Sequence, residues 1–144
     1  MLLGEYEHTL DDKNRLTLPA KFRESFADGV VLTRGLDACI DAFAAQSWQD
    51  YVGERLATLD PRRGDARKLR RHLFSGATEA QPDKQGRVMV PGYLADHARL
   101  GRDVVVAGVG DRLEIWNRAS WREELREVEG SAEDVADRLA SERD

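Results

Sequence analysis

Cysteine is almost missing from this 144-residue chain, with Cys39 as its only example. A lone thiol forms no internal disulfide and builds no cysteine-based metal cluster, which points to a reducing compartment. Long apolar runs are lacking too, and no segment approaches the roughly 20 residues that a bilayer crossing requires, so no membrane partner is expected. The opening stretch MLLGEYEHTL has no basic segment followed by an apolar run and a cleavage site. It therefore predicts no secretory signal and a cytoplasmic location. His8, His72 and His97 are isolated, with neither HxxxH nor HExxH spacing, so no metal site is predicted. The sequence also lacks GxSxG, GxGxxG and the P-loop pattern, which leaves nucleophile elbows, dinucleotide folds and phosphate loops without signatures. Asp11 and Asp12 are adjacent and would point to opposite faces of an extended chain, a poor arrangement for an acid/base pair. No cofactor and no enzymatic activity are predicted.

What is present is an ordinary globular composition, 41% hydrophobic and 34% charged, with a formal net charge of -5. That charge is unevenly spread. Residues 1-60 carry 6 basic and 11 acidic side chains, residues 61-110 carry 10 and 5, and residues 111-144 carry 6 and 11. The basic middle is concentrated in PRRGDARKLRRH, where six cations from Arg62 to Arg71 oppose only Asp65. Overall acidity therefore does not exclude a nucleic-acid partner.

The chain repeats itself. At a shift of 72 residues, Gly4 falls on Gly76, Glu7 on Glu79, Asp11 on Asp83, Arg15 on Arg87 and Pro19 on Pro91. After one inserted residue, a shift of 73 pairs Val31 with Val104, Ile40 with Leu113, Phe43 with Trp116 and Trp48 with Trp121. Each half predicts a strand (Leu2 to Glu7, Phe74 to Glu79), a tight turn, and a second strand (Arg15 to Leu18, Arg87 to Val90). A short helix should follow the proline. The runs VVLTRG and ACIDAF, and VVVAGVG and RLEIW, predict a second pair of strands. A longer helix closes each half, with Ser47 and Ser120 as expected N-caps and Trp48 and Trp121 on core-facing stripes. Ser131 predicts the cap of a separate terminal helix anchored by Val135 and Leu139. Two halves of about 70 residues have little core each, which favours one interleaved unit.

The repeated turn is the constellation that looks chemical. Asp11 and Asp83 are placed to accept backbone N–H bonds two residues ahead, and Gly86 supplies a positive φ. Asn14 occupies the equivalent position in the first copy and is the non-glycine residue that best tolerates that conformation. Arg15 and Arg87 then open the outgoing strands. A guanidinium on a rigid turn suits a phosphate or the O6/N7 edge of guanine, with Lys13 and Lys84 as nearby point charges. An aspartate four residues before an arginine is also what a plain surface ion pair looks like, worth ~0-1 kcal/mol. Recurrence in the same context favours paired presentation along one duplex. An oligomeric scaffold without DNA specificity is the competing reading.

The segments LLGEYEHTLDDKNRLTLPAKFRESF and LFSGATEAQPDKQGRVMVPGYL, with VVLTRGLDACIDAF and RLEIW behind them, resemble the MraZ family of bacterial transcriptional regulators. The resemblance implies an α+β, β-rich fold of two tandem AbrB/SpoVT-like swapped-hairpin repeats fused into one pseudo-dimeric barrel with flanking helices. Its expected organisation is repeats over 1-60 and 74-130, a basic connector over 61-73, and a helical tail over 131-144. It further implies a DNA-binding repressor of the division and cell-wall gene cluster, its own gene included. Short G-containing direct repeats of double-stranded DNA would be the target, bound by a nucleoid-associated homo-oligomeric ring. By residue, Asp83, Gly86 and Arg87 match the family turn, and Asp11 and Arg15 match it with Asn14 in place of glycine.

Overall fold

Alternating apolar residues broken by tight turns give each half four strands. In the computed structural model, which describes residues 1-142, these are β1 (Leu2–Thr9), β2 (Arg15–Thr17), β3 (Val30–Arg34) and β4 (Ile40–Ala44), then β5 (Thr78–Ala80), β6 (Arg87–Met89), β7 (Asp103–Gly110) and β8 (Leu113–Asn117). The helices are α1 (Ala45–Tyr51), continued by a π-helical stretch Val52–Leu56, α2 (Gly64–Gly76), α3 (Gly92–His97) and α4 (Arg118–Glu142). The fold is α+β. Helix α2 runs across the expected boundary at residue 73, and α4 across that at 130.

The halves exchange strands. Six antiparallel strands lie in the order β1-β7-β8-β4-β3-β5, and β2 pairs with β6 in a separate ribbon. Thus β1 of the first half pairs with β7 of the second, and β5 of the second with β3 of the first. Two registers are self-symmetric: Leu16 faces its counterpart Val88, and Asp41 faces its counterpart Glu114. A pseudo-twofold relation between the halves therefore passes through both pairs. The ladders also refine the repeat. Glu7 faces Val105 while Glu79 faces Val31, so Val31 is equivalent to Val105 rather than to Val104. The expected barrel is not closed by hydrogen bonds, because among the described residues no ladder joins β1 to β5. Helix α2 takes up the chain as far as Gly76, so β5 is only three residues long.

One core lies between the sheet and the ribbon. Val30, Leu32, Ile40, Val104, Val106 and Ile115 from the sheet meet Leu16, Leu18, Val88 and Val90 of the ribbon segments, with Phe22, Phe26 and Leu94 filling the ends. Phe22 and Phe26 sit on two 3-10 turns, not on one α-helix; after Pro91 the second half does form a helix, α3. On the outer face Val31, Phe43 and Trp48 form a second cluster with Tyr51 and Phe74. Phe74 was expected in a strand. It belongs instead to α2, whose Ala66, Leu69 and Leu73 recur at helical spacing. The Thr33 hydroxyl ties this helix to β3 by donating to the Leu73 carbonyl.

The predicted caps are replaced. Helix α1 begins at Ala45 directly after β4, so Ser47 lies inside it. Helix α4 begins at Arg118, and the Asn117 side-chain oxygen accepts the Ser120 N–H at 3.1 Å, which makes asparagine the cap. Ser131 caps nothing: its hydroxyl donates to the Glu127 carbonyl within one continuous helix. The expected core stripe of α4 is also absent, since none of its residues is buried and Trp121, only partly covered, packs tilted against Trp116 with ring centroids 5.7 Å apart.

Cys39, Asp41 and Glu114 gather on the outer face at the pseudo-twofold position, beside Arg112, which lies 3.6 Å from the Asp41 carboxylate and over the Phe43 and Tyr51 rings. Burial pushes the Asp41 carboxyl up to about 7; Arg112 opposes this, while Glu114 and Asp111 reinforce it. Burial likewise raises the Cys39 thiol. The folded protein thus keeps a proton on Asp41 that the unfolded chain, near 3.8, has already lost. Stability should fall between about pH 4 and 7, by up to ~1.4 kcal/mol per pH unit, and level off above. Urea midpoints at pH 5 and pH 8 check this: Asp41→Asn is expected to flatten the difference, and an undiminished difference would assign it to other groups.

Candidate nucleic-acid interface

Each half builds the same turn, from the aspartate outward. In the first, Asp11 Oδ1 accepts the Lys13 N–H at 2.9 Å and the Arg15 N–H at 2.8 Å, while Oδ2 accepts Arg15 Nε at 2.7 Å. In the second, Asp83 Oδ1 accepts the Gln85 and Arg87 N–H groups at 2.9 Å each, and Oδ2 accepts Arg87 Nε at 2.7 Å. These bonds favour the ionised carboxylate. The backbone N–H of the arginine, followed by its guanidinium, holds Asp11 and Asp83 below the usual carboxylate range. Asn14 has φ +58 and Gly86 φ +77, so asparagine reproduces the left-handed turn position that glycine occupies in the other copy.

The ion pair that the Asp/Arg spacing allows is formed in both copies, and it fixes the direction of each arginine. Among the described residues only Nε is engaged, which leaves the two Nη groups of each guanidinium to donate elsewhere, on side chains 27% and 31% exposed. In the ribbon, Arg15 faces Met89 and Thr17 faces Arg87, while Leu16 and Val88 between them are buried. Strand alternation therefore puts Arg15, Thr17, Arg87 and Met89 on one outward face. The two arginines are offset by two residues, about 7 Å along the strand direction. Cross-bonds fix the turns to each other, with the Leu18 N–H donating to the Gly86 carbonyl and the Val90 N–H to the Asn14 carbonyl, both at 2.9 Å. Lys13, Asn14 and Lys84 are exposed on the turns, and Gly86 is buried.

Gly86 is buried by a residue that sequence reasoning missed. Arg23 lies across it so closely that a Cβ on Gly86 would meet Arg23 Nε at 2.5 Å, and Arg23 Nε donates to the Leu18 carbonyl at 3.3 Å. The repeat offered a signal, because the counterpart of Arg23 at a shift of 72 is Ala95. The second turn thus carries an extra cation. The basic run from Arg62 to Arg71 is, by contrast, partly spoken for: Arg62 pairs with Asp60, Arg63 with Asp65, Arg67 donates to the Pro61 and Arg62 carbonyls, and Arg70 to that of Leu56.

Comparison with known proteins finds this duplication as a family pattern. The family described as "MraZ protein, putative antitoxin-like" matches residues 1-72 and then residues 73-143. The chain belongs to the MraZ family. Proteins named transcriptional regulator MraZ from Moorella thermoacetica, Heliobacterium modesticaldum and Caldanaerobacter subterraneus subsp. tengcongensis are 45%, 44% and 42% identical to it. Each match covers 139 residues, 96% of this chain and 96% of the relative. The two MraZ matches meet between His72 and Leu73, inside α2, so one unbroken helix carries the chain from the first repeat into the second. Each MraZ repeat contributes one of the two turns. No helix among the described residues is long and apolar enough to cross a membrane.

Proposed function

We propose that this MraZ protein is a sequence-specific DNA-binding transcriptional regulator without catalytic activity, and that the β2·β6 ribbon is its reading surface. The single observation that carries this is the placement of Arg15 and Arg87 on one outward ribbon face, each held by its own aspartate with its Nη groups left to donate. A two-stranded ribbon fits a major groove about 12 Å wide, and a free guanidinium end matches the O6/N7 edge of guanine or a phosphate. Asp11, Asp83, Asn14 and Gly86 fix the turns, Lys13 and Lys84 add phosphate contacts, and Arg23 extends the cationic edge of the second turn. The names of the relatives support the regulatory role.

The finer reading is of a repressor in the cytoplasm, associated with the nucleoid. It acts on the division and cell-wall cluster that includes its own gene, through short G-containing direct repeats. Two swapped-hairpin repeats form a pseudo-dimeric unit, and several units in a ring engage repeated sites together. Avidity then offsets a net charge of -5. The test is a fluorescence-anisotropy titration against the gene's own upstream DNA and a scrambled duplex at two salt concentrations. Selective binding that weakens steeply with salt is expected. Equal, weak binding to both duplexes would overturn the reading in favour of a scaffold.

A further inference from the structure

The two halves diverge in charge where the sheet meets the helix that follows it. In the second half Arg118, the first residue of α4, reaches the edge strand β1. Its Nη1 lies 3.8 Å from both the Glu7 and the Asp103 carboxylates, and its Nη2 donates to the His8 carbonyl at 2.7 Å. Arg122, one helical turn on, lies 3.5 Å from Glu7. Two guanidinium groups thus serve one acidic corner, and Trp121 between them in the chain packs on Trp116.

The repeat builds the same corner in the first half. Through the ladders Glu79 corresponds to Glu7, Ala80 to His8 and Val30 to Val104. Ala45 corresponds to Arg118, each being the first residue of the helix that directly follows its strand, and Trp48 on Phe43 corresponds to Trp121 on Trp116. Both arginine positions differ here, with Ala45 in place of Arg118 and Gln49 in place of Arg122, while Asp28 takes the place of Arg102. The short Ala45 side chain leaves a cavity of about 360 Å³, with Asp28, Val30, Trp48, Gln49, Glu79 and Ala80 in its wall. Small-molecule sites begin at about this size, ~300 Å³. Among the described residues neither Asp28 nor Glu79 forms an ion pair.

We propose that this cavity binds a small guanidinium compound, the free-molecule equivalent of the Arg118 head group. The second half shows the chemistry, because there a guanidinium is held by the residues equivalent to Glu79 and Ala80. Glu79 is the carboxylate partner, and Asp28 supplies the second negative charge that Asp103 supplies in the other half. Trp48 adds an aromatic surface of the kind on which planar cations stack. A fork of five N–H donors satisfies a carboxylate and a neighbouring carbonyl together, whereas an ammonium acts as a point charge. The space exceeds one head group and accommodates a molecule of about the size of free arginine.

The site goes beyond the regulatory reading, and its test does not depend on DNA. Isothermal titration of the full-length protein with agmatine and with L-arginine is expected to show saturable binding. L-citrulline, whose urea keeps the shape without the charge, should bind about tenfold more weakly or worse. Glu79→Gln should weaken agmatine binding to a similar degree. Ala45→Arg, which installs the residue of the other half, should abolish binding and melt no lower than the parent. No saturable binding, citrulline bound as tightly as arginine, or agmatine bound unchanged by Glu79→Gln would each overturn the proposal. Nα-acetyl-arginine-N-methylamide bound about tenfold more tightly than agmatine would overturn the small-molecule assignment in favour of an arginine presented by a polypeptide. Because DNA affinity is not read, failure here leaves the ribbon proposal standing.

Discussion

Arg15→Ala/Arg87→Ala is expected to fold normally and to lose specific DNA affinity by at least about 30-fold per chain. Each bidentate guanine contact is worth about 1-3 kcal/mol, and the double variant removes two. The fold should tolerate the change, because the two ion pairs are partly exposed and water screens their attraction. The aspartates keep their bonds to the backbone N–H groups of residues 13, 15, 85 and 87, so the turns persist without the guanidinium. Lys13→Ala/Lys84→Ala supplies the contrast. Loss of phosphate contacts should weaken binding to operator and scrambled DNA alike, and reduce the salt slope by about one per cation. If the arginine double variant keeps both its affinity and its preference for the operator, the ribbon is not the reading surface. A circular-dichroism melt on the same sample separates that outcome from misfolding.

The largest expected effect on stability is at Gly108, in the strand that joins the two halves. A Cβ there would lie 2.5 Å from the Leu3 nitrogen, 2.6 Å from the Leu2 carbonyl carbon and 2.7 Å from the Leu2 carbonyl oxygen. All three are backbone atoms of β1, so no side-chain rotation relieves the contact. Either β1 moves away and the β1·β7 ladder is lost, or β7 distorts. Gly108→Val should therefore cost about 3 kcal/mol or more, which lowers the melting temperature by roughly 10 °C for a domain of this size. Gly130→Ala is the control. Nothing lies within 4 Å of its Cβ position, and replacing glycine in a helix interior should stabilise by up to about 1 kcal/mol. Equal melting temperatures for Gly108→Val and the parent would show that β1 is not held against β7 in solution.

Much of the fold was legible because the repeat printed each element twice. The turns at Asp11 and Asp83, the strands around Leu16 and Val88, and the apolar runs of β3, β4, β7 and β8 follow local rules of alternation and turn chemistry. Those rules misjudged helix starts. Ser47 and Ser120 have the chemistry of caps, but β4 and β8 hand the chain over earlier, at Ala44 and Asn117, and strand pairing outweighs a cap worth about 1 kcal/mol. They also misjudged Phe74, where a helical stripe begun at Ala66 carries on through an aromatic residue that fits a strand equally well. Arg23 was illegible for another reason. Its contact with Gly86 spans 63 positions of sequence, and only folding brings them together.

The sequence by itself determined that two related halves exist, that each presents an aspartate-anchored arginine on a tight turn, and that Asn14 stands where the second copy has Gly86. Turn and alternation chemistry act over a few residues, so they can be read from a line of text. Only the tertiary structure decided that β2 pairs with β6 and places both arginines on one face, that Asn14 takes the left-handed conformation, and that each half completes its sheet with a strand from the other. Pairing between halves depends on which edges meet in space. A pattern repeated in both halves satisfies pairing within a half as well as pairing across them, and the choice falls to the packing of Leu16, Val88 and the shared core beneath them.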